Sequence, residues 1–414
     1  MLLKNISALT VIHGLNYFFS LVIIPYLLLL YGPENWGKLV FVQTVINYFI
    51  WFTDWGFNRG AIKKISERRA NSKDTSFLFF NYWLAQFLLL AIALLSFFLL
   101  LLSFGPIHGI GNSLFAISSI LIISNVIFPA WYFVGLEQVM ESAIVQFLPK
   151  VLNVVFILFY LKNATNLVDY IIIISLTSFF VSIAGLVFMF KLNRISFTKP
   201  RLKESILILK EDFVWFRVNM ISSLSGLLIP TYLGISGELS QLAFFNIVDR
   251  IKSAAIIILH PISHSLFPRM NFLFRTSINE ALFVAKRSFL VLTFLSGLSS
   301  VFIFIFSKEI LFFFGGANFI HASNFLRIIA FIPLISTINC FFLDQIIMPN
   351  SSGSLIEKIN FFKLMFICFL IYPSFRFFSL DGIGCLLLIS EIFIFFLICY
   401  KVRNLLNRFK AYKQ

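Results

Sequence analysis

The chain has 414 residues, of which 59% are hydrophobic and only 12% are charged, and its formal net charge is +15. Soluble domains carry about 25% charged residues because their surface must be solvated, so this composition excludes a water-soluble protein and predicts a multi-span membrane protein. About a dozen spans of roughly 20 residues each would leave no room for a soluble catalytic domain.

Apolar stretches bounded by charges or by Gly, Pro and Asn clusters predict an all-α integral membrane protein with twelve transmembrane helices in two six-helix lobes. The runs are continuous over about 20 residues, which favours helices over the alternating strands of a barrel. Residues 1–200 are predicted to form the N-terminal lobe with the cytoplasmic connection that follows it, and residues 201–414 the C-terminal lobe. In chain order the predicted helices are 5–30, 38–61, 76–102, 114–135, 143–161, 170–190, 213–234, 241–266, 288–307, 322–346, 359–377 and 382–400.

The distribution of Lys and Arg predicts the side of the membrane on which each connection lies. Segments assigned to the cytoplasm hold 27 of these cations, and segments assigned to the outer side hold 4. Because Lys and Arg concentrate in cytoplasmic loops, both termini are predicted to be cytoplasmic. This asymmetry accounts for most of the positive charge, so we predict no nucleic-acid partner.

A short segment of the first half recurs in the second half. The run from Ile24 to Gly32 reappears as the run from Ile229 to Gly237, at an offset of 205 residues, with Pro second and Gly last in both. One match of this length can also arise by chance. If it is a true repeat, each half has six spans and both insert with the same orientation, which is the parallel pseudo-repeat of many transporters.

One face of the predicted helix 38–61 is polar. Four residues fall within a sector of about 60°: Gln43, Asn47, Asp54 and Asn58. A charge at bilayer depth costs at least about 2.5–3.5 kcal/mol, so this face predicts a water-filled cavity. The alternative is structural neutralisation of Asp54 by Arg59.

The predicted helix 241–266 repeats this pattern. Asn246 and Asp249 lie on one face, and Arg250 and Lys252 flank that face on its two sides. The alternative interpretation is that Asp249 pairs with Arg250 or with Lys252. Excess positive charge suits an anionic head group, because Arg binds phosphate oxygens through its planar fork.

Further charges lie inside or beside other predicted spans. Lys150 lies in helix 143–161. Arg217 lies near the start of helix 213–234, where its side chain could face the cavity or could instead extend to the membrane interface. Glu391 falls near mid-membrane, where it must be protonated, paired or a proton carrier. The candidate substrate-binding residues are therefore Arg250, Lys252, Arg59, Lys150, Arg217, Asn47 and Asn246. The candidate ion-coupling acids are Asp54, Asp249 and Glu391. Metal-binding and nucleotide-binding motifs are missing from the sequence, so no metal and no cofactor are predicted.

These residues stand in motifs that resemble those of the Wzx-type polysaccharide flippases, which belong to the multidrug/oligosaccharidyl-lipid/polysaccharide exporter superfamily. The resemblance runs from end to end of the chain. Where that family often has Tyr-Ser-Ala-Ala before an Asp-Arg pair, this chain has Phe244-Phe245-Asn246-Ile247-Val248, so the transfer of roles is less direct there. The segments that carry the resemblance are 5–31, 31–37, 53–61, 131–137, 244–252, 261–269 and 380–384.

The resemblance implies two lobes that alternate access to a cationic central cavity. It implies a transporter and not an enzyme, carrying an undecaprenyl-diphosphate-linked oligosaccharide, such as an O-antigen repeat unit, from the cytoplasmic to the periplasmic leaflet of a bacterial inner membrane. The implied partners are this lipid-linked glycan and the membrane lipids, with a glycan polymerase and chain-length proteins as candidates.

Two other functions compete with this interpretation. An ion-coupled multidrug exporter of the same superfamily would need acidic, aromatic cavities for cationic substrates, and the excess of Lys and Arg argues against it. A membrane glycan polymerase or ligase would need a large outer loop, whereas the longest predicted outer segments, 308–321 and 103–113, are short.

Overall fold

The computed structural model describes residues 2–70, 74–103, 108–161, 166–347 and 354–411, with side chains at most positions between 22 and 403. Every regular element in these ranges is helical, which confirms the all-α prediction. Eight of the described helical stretches are long and apolar enough to cross a membrane, and the count of twelve stays a prediction. The α-helices are α1 Leu2–Asp54, α2 Phe57–Ala70, α3 Ser76–Ser103, α4 Asn112–Ile127, α5 Ala130–Gly135, α6 Val139–Tyr160, α7 Leu167–Asn193, α8 Leu202–Ile235, α9 Leu239–Thr276, α10 Ile278–Ile305, α11 Ser307–Gly315, α12 Ser323–Ile329, α13 Ile332–Phe341 and α14 Ser354–Ala411.

Left-handed residues divide the first helix and then end it. Gly32 has φ 73° and separates α1 into two arms, which correspond to the predicted helices 5–30 and 38–61. Trp55 (φ 41°) and Gly56 (φ 79°) then form a turn before α2 begins. The prediction of one helix over 38–61 was therefore wrong at its end. Because this turn changes the helical phase, Asn58 does not continue the polar face of α1.

The two copies of the repeated segment have the same local form. Pro25 and Pro230 both lie inside helices, α1 and α8. Gly32 and Gly237, at the last position of each copy, both have positive φ, 73° and 80°. Only glycine adopts a positive φ at little cost, so both copies of the segment end at a position that favours glycine.

The chain packs into two compact units, one of residues 1–223 with 233–242 and the other of 224–232 with 243–414. The lobes at 1–200 and 201–414 stay a prediction. In the first unit an aromatic core joins α2, α3 and α5. Trp131 donates to Gln86 Oε1 at 3.2 Å, and the hydroxyls of Tyr132 and Thr75 lie 2.8 Å apart. The motif 131–137 therefore stabilises the fold.

The second unit has its own core, formed by α9, α10, α13 and α14. Ser379 (φ 50°) bends α14 into two arms. A π-helix, Phe342–Ile347, continues α13. Such π segments widen a helix locally and occur often at functional sites.

Large apolar side chains cover the outward faces of the described helices. Leu102 on α3 is 84% exposed, and Phe294 on α10 is 70% exposed. Contiguous apolar surface of this kind is rare on soluble monomers, so hydrocarbon is the solvent that covers it. The chain is therefore a multi-pass membrane protein.

Candidate functional site

The N-terminal unit, residues 1–223 with 233–242, contains the candidate acid Asp54, which is the last residue of α1. Asn125 of α4 donates a hydrogen bond of 2.8 Å from Nδ2 to Asp54 Oδ1. Asn47 lies seven residues earlier, on the same face of the helix, and is half-buried. Asn125 was not singled out from the sequence, because a lone Asn within an apolar run gives no sign of its partner.

Arg59 and Arg217 come to the region where α2 and α8 meet. The Arg59 guanidinium lies 5.8 Å from the centroid of the Trp215 ring, a cation–π contact, and Arg217 follows two residues later on α8. Both Arg side chains are exposed. Lys150 is half-buried on α6, which packs on α1 and α7. These three cations therefore belong to two different places in the N-terminal unit.

Four candidate residues lie together on α9 in the C-terminal unit. Arg250 Nε donates to Asn246 Oδ1 at 3.1 Å, and Lys252 Nζ pairs with Asp249 Oδ1. Of the two pairings considered for Asp249, the one with Lys252 is seen. The group holds two cations and one carboxylate, so its formal charge is positive. It can bind an anion, and the Asn246 contact fixes the plane of the guanidinium.

Glu391 on the second arm of α14 is the centre of a polar cluster. Lys363 on the first arm pairs with Glu391 Oε1, and the two side chains are 24% and 12% exposed. Asn339 of α13 donates from Nδ2 to both Oε2 and the main-chain oxygen of Glu391, each at 3.1 Å. Glu391 is thus paired in the structure, and its role as a proton carrier stays a prediction. Lys363 was not among the candidate residues, because a partner 28 residues away along the chain cannot be recognised from spacing.

A further buried carboxylate, Asp212 on α8, was not predicted at all. Its side chain is 3% exposed, accepts a hydrogen bond of 2.9 Å from Tyr82 and lies 3.9 Å from Lys64 Nζ. Lys64 also pairs with Glu211 at 2.5 Å. A Cβ at Gly60 would overlap the Asp212 carboxyl group, so a glycine is needed where α2 approaches α8.

The described residues thus form separate polar groups that suit binding and proton exchange. The α9 group offers positive charge to an anion, and Asp54, Asp249 and Glu391 are acids held by neutral or cationic partners. Such groups are expected in a transporter, because ionisable residues at membrane depth mark pathways for ions and substrates.

Residues 2–274, most of this chain, match the model of the family described as "Polysaccharide biosynthesis protein". The chain belongs to the polysaccharide biosynthesis protein family. One relative is the "Putative O-antigen transporter" of Escherichia coli (strain K12), which is 24% identical over 97% of this chain and 96% of its own length. Another, of the same name from Shigella dysenteriae, is 25% identical over 65% of this chain and 67% of its own length.

Solved structures share the fold of this family member. A lipid II flippase, MurJ, in an inward closed conformation has a TM-score of 0.75 at 12% identity and covers 97% of this chain and 87% of its own. A multidrug resistance MATE transporter of the MOP superfamily, in an inward-facing conformation, has a TM-score of 0.71 at 14% identity over 96% of both chains. The family match confirms the resemblance to a polysaccharide family that the sequence motifs indicated, and these solved structures show the fold.

Proposed function

We propose that this protein is a flippase that moves an undecaprenyl-diphosphate-linked oligosaccharide from the cytoplasmic to the periplasmic leaflet of a bacterial inner membrane by alternating access. Family membership, relatives named as O-antigen transporters and a fold shared with a lipid II flippase support the proposal. A diphosphate and a glycan cannot cross hydrocarbon unaided, whereas a polyprenyl tail can remain in the lipid. The task needs a polar path and no covalent chemistry, so the activity is transport and not an enzymatic reaction.

The observation that carries this proposal is the cationic group on α9. Arg250 follows the start of α9 at Leu239 by 11 residues, which is about 16 Å along the helix axis. The predicted span 241–266 places Arg250 and Lys252 within the membrane, where cations cost at least about 2.5–3.5 kcal/mol each to insert and mark substrate pathways. Arg250 and Lys252 are the proposed diphosphate ligands, with Asn246 holding Arg250 in place. Arg59, Lys150, Arg217 and Asn47 remain proposed as weaker substrate contacts.

Orientation is part of the proposal, with both termini on the cytoplasmic side. Because α9 continues unbroken to Thr276, Arg250 and Lys252 belong to a helix and not to a cytoplasmic loop. The 27 cations assigned to the cytoplasm include Arg250 and Lys252. The other cations still concentrate on the cytoplasmic side, so the positive-inside rule predicts the same orientation without these two. A C-terminal alkaline phosphatase fusion should be inactive, and an active fusion would contradict the proposed orientation.

Ion coupling is proposed for Asp54, Asp249 or Glu391, and their partners suggest an order among them. Protonation of Asp249 or Glu391 would break an ion pair with Lys252 or Lys363. Among the described contacts, Asp54 is bound by the amide of Asn125 and by no ammonium group, so its protonation would break no ion pair there. Asp54 is therefore the first candidate. An Asp54→Asn variant should lose the response of flipping to a pH gradient.

Reconstituted vesicles test the proposed activity. The protein is placed in liposomes that contain a radiolabelled lipid-linked oligosaccharide, and a membrane-impermeant glycosidase is added outside. Digestion should approach completion in vesicles with the protein and stop near half in empty vesicles. Arg250→Ala should fall towards the empty-vesicle level, whereas Glu280→Gln, which changes an exposed acid in the first turn of α10, should match the parent protein.

Failure of the glycan to flip would overturn the proposal if the vesicles are sealed and the glycan is intact. A parallel measurement with a fluorescent organic cation separates the exporter alternative. Uptake or release of that dye, together with no digestion of the inner-leaflet glycan, would favour drug export.

A further inference from the structure

A pocket of about 430 Å³ opens between α2, α3 and the start of α8, and none of the candidate substrate residues lines it. Its volume lies within the usual range of ligand sites. The lining combines side chains of both charges with apolar ones: Lys64, Glu67, Arg68, Phe77, Leu78, Asn81, Glu204, Leu207, Ile208 and Glu211.

The pocket lies at the end of a membrane span. Phe77, Leu78 and Asn81 belong to the first two turns of α3, whose 28 residues are long and apolar enough to cross a bilayer. An opening at the first turns of such a helix faces the lipid head groups, and the predicted topology makes this the cytoplasmic leaflet. A lipid head group is therefore the ligand within reach.

The walls of the pocket are rigid. The backbone N–H of Arg201 donates to Asn81 Oδ1 at 2.8 Å, and the Ser205 hydroxyl donates to the Asn81 main-chain oxygen at 2.9 Å. Arg68 Nη1 donates to the Asp74 main-chain oxygen at 3.2 Å, which holds this cation at the pocket edge. These contacts fix α8 against α3, so the pocket does not depend on a ligand for its shape.

The charges of the lining select between head groups. Lys64 and Arg68 supply two cations, and Glu67, Glu204 and Glu211 supply three carboxylates, of which Glu211 pairs with Lys64. A purely anionic head group, including a diphosphate, would meet like charges from the three carboxylates. A head group with both a phosphate and a primary ammonium suits the cations and the carboxylates of the lining. Its phosphate oxygens accept from the cations, and its ammonium has three N–H donors for carboxylate oxygens.

We propose that this pocket binds the head group of phosphatidylethanolamine, with its phosphate towards Arg68 and its ammonium towards Glu204, beside the Lys64–Glu211 ion pair. Leu207, 42% exposed at the rim, and the buried Ile208 contact the glycerol end of the lipid. A bound lipid would contact residues of all three helices, α2, α3 and α8. This inference does not depend on the transported substrate.

Lipid binding to the purified, delipidated full chain tests the proposal by native mass spectrometry. Dioleoyl phosphatidylethanolamine, phosphatidylcholine and phosphatidylglycerol are titrated separately. Phosphatidylethanolamine should bind at least about tenfold more tightly than phosphatidylglycerol, since one charge-assisted contact is worth that much. Phosphatidylcholine, whose quaternary ammonium has no N–H donor, should be weaker than phosphatidylethanolamine. Soluble glycerophosphoethanolamine should compete, because the head group provides the recognition.

Two variants and one control assign the binding to this pocket. Glu204→Gln should remove most of the preference for phosphatidylethanolamine, and Glu280→Gln, an acid in the first turn of α10, should keep it. Leu207→Trp should block the pocket without changing its charge. Equal binding of the three lipids, or an unchanged preference in Glu204→Gln and Leu207→Trp, would overturn the proposal.

Discussion

The Tyr82 hydroxyl donates a hydrogen bond of 2.9 Å to Asp212 Oδ2, and this bond ties α3 to α8. The carboxylate is buried, with 3% of its side chain exposed and Lys64 Nζ 3.9 Å from its other oxygen. A buried charge is tolerated only when it is paired and hydrogen-bonded. Tyr82 therefore stabilises an acid that would otherwise oppose the packing of these helices.

Replacement of Tyr82 by Phe should reveal this contribution. The change keeps the ring but leaves Asp212 with one donor fewer, so the free energy of unfolding should fall by about 1–3 kcal/mol. Unfolding in a mixed detergent titration, followed by circular dichroism, measures the loss. Tyr160→Phe is the matched control, since that tyrosine is 72% exposed, and its stability should not change. An equal loss in both variants would contradict the assignment.

Asp74 lies just before the start of α3, and we expect it to make the free energy of unfolding depend on pH. Hydrogen bonds from the backbone N–H and the hydroxyl of Ser76 lower the pKa of the Asp74 carboxyl group. A lowered folded-state pKa means that the stabilisation is present above the unfolded pKa of about 3.9 and disappears as the pH falls through the folded value.

The Asp74→Ala variant should therefore be less stable than the parent at neutral pH, by about 1 kcal/mol or less because the residue is exposed. The difference should vanish in acid, below the folded pKa. Asp74→Asn keeps an acceptor oxygen but cannot titrate, so its stability difference from Asp74→Ala should not change with pH. Detergent unfolding at neutral and acid pH distinguishes these patterns, and a constant deficit of Asp74→Ala would contradict the prediction.

Much of the fold was predictable because the lipid solvent imposes long apolar helices. The repeated segment predicted two corresponding halves, and Gly32 and Gly237, the last residues of its two copies, both have positive φ. The end of helix 38–61 was not predictable from periodicity. Trp55 adopts φ 41°, which a large side chain rarely does, and only the packed environment holds it there.

The candidate site was predictable for neighbours along one helix and not for partners from different helices. Helical spacing brought Asn246, Asp249, Arg250 and Lys252 together, and the structure places them in contact as two pairs. The partners of Glu391 lie 28 and 52 residues away, on another arm and another helix. Spacing along one helix carries no information about such pairs.

Variants of the Lys363–Glu391 pair should distinguish a role in stability from a role in transport. Lys363→Met alone leaves the half-buried Glu391 carboxylate without its cation and should cost about 1–3 kcal/mol, since Asn339 still donates a hydrogen bond to it. The double change Lys363→Met with Glu391→Gln removes both charges and should recover most of that stability. Detergent unfolding of the two variants, with Glu391→Gln alone, completes the cycle.

Flipping measured in the same variants identifies the role of Glu391. A double variant that is stable and flips glycan normally would remove Glu391 from the ion-coupling candidates. A double variant that is stable and inactive would favour a carrier role. If the single Lys363→Met change costs no stability, the ion pair does not contribute to the fold, which would contradict the prediction.

The last prediction concerns Arg250, and it separates substrate binding from charge balance. A charge-assisted contact to phosphate is worth about 1.5–3 kcal/mol, so Arg250→Ala should lower glycan flipping roughly 10- to 150-fold. Arg250→Lys keeps the charge but loses the planar fork, and it should be intermediate. Asn246→Ala should also be intermediate, because the guanidinium keeps its charge and loses the contact that orients it.

If Arg250 serves only to neutralise Asp249, the double change Arg250→Gln with Asp249→Asn should restore flipping, whereas a lost diphosphate contact stays lost. Measured at matched protein levels, full rescue would remove Arg250 from the substrate site.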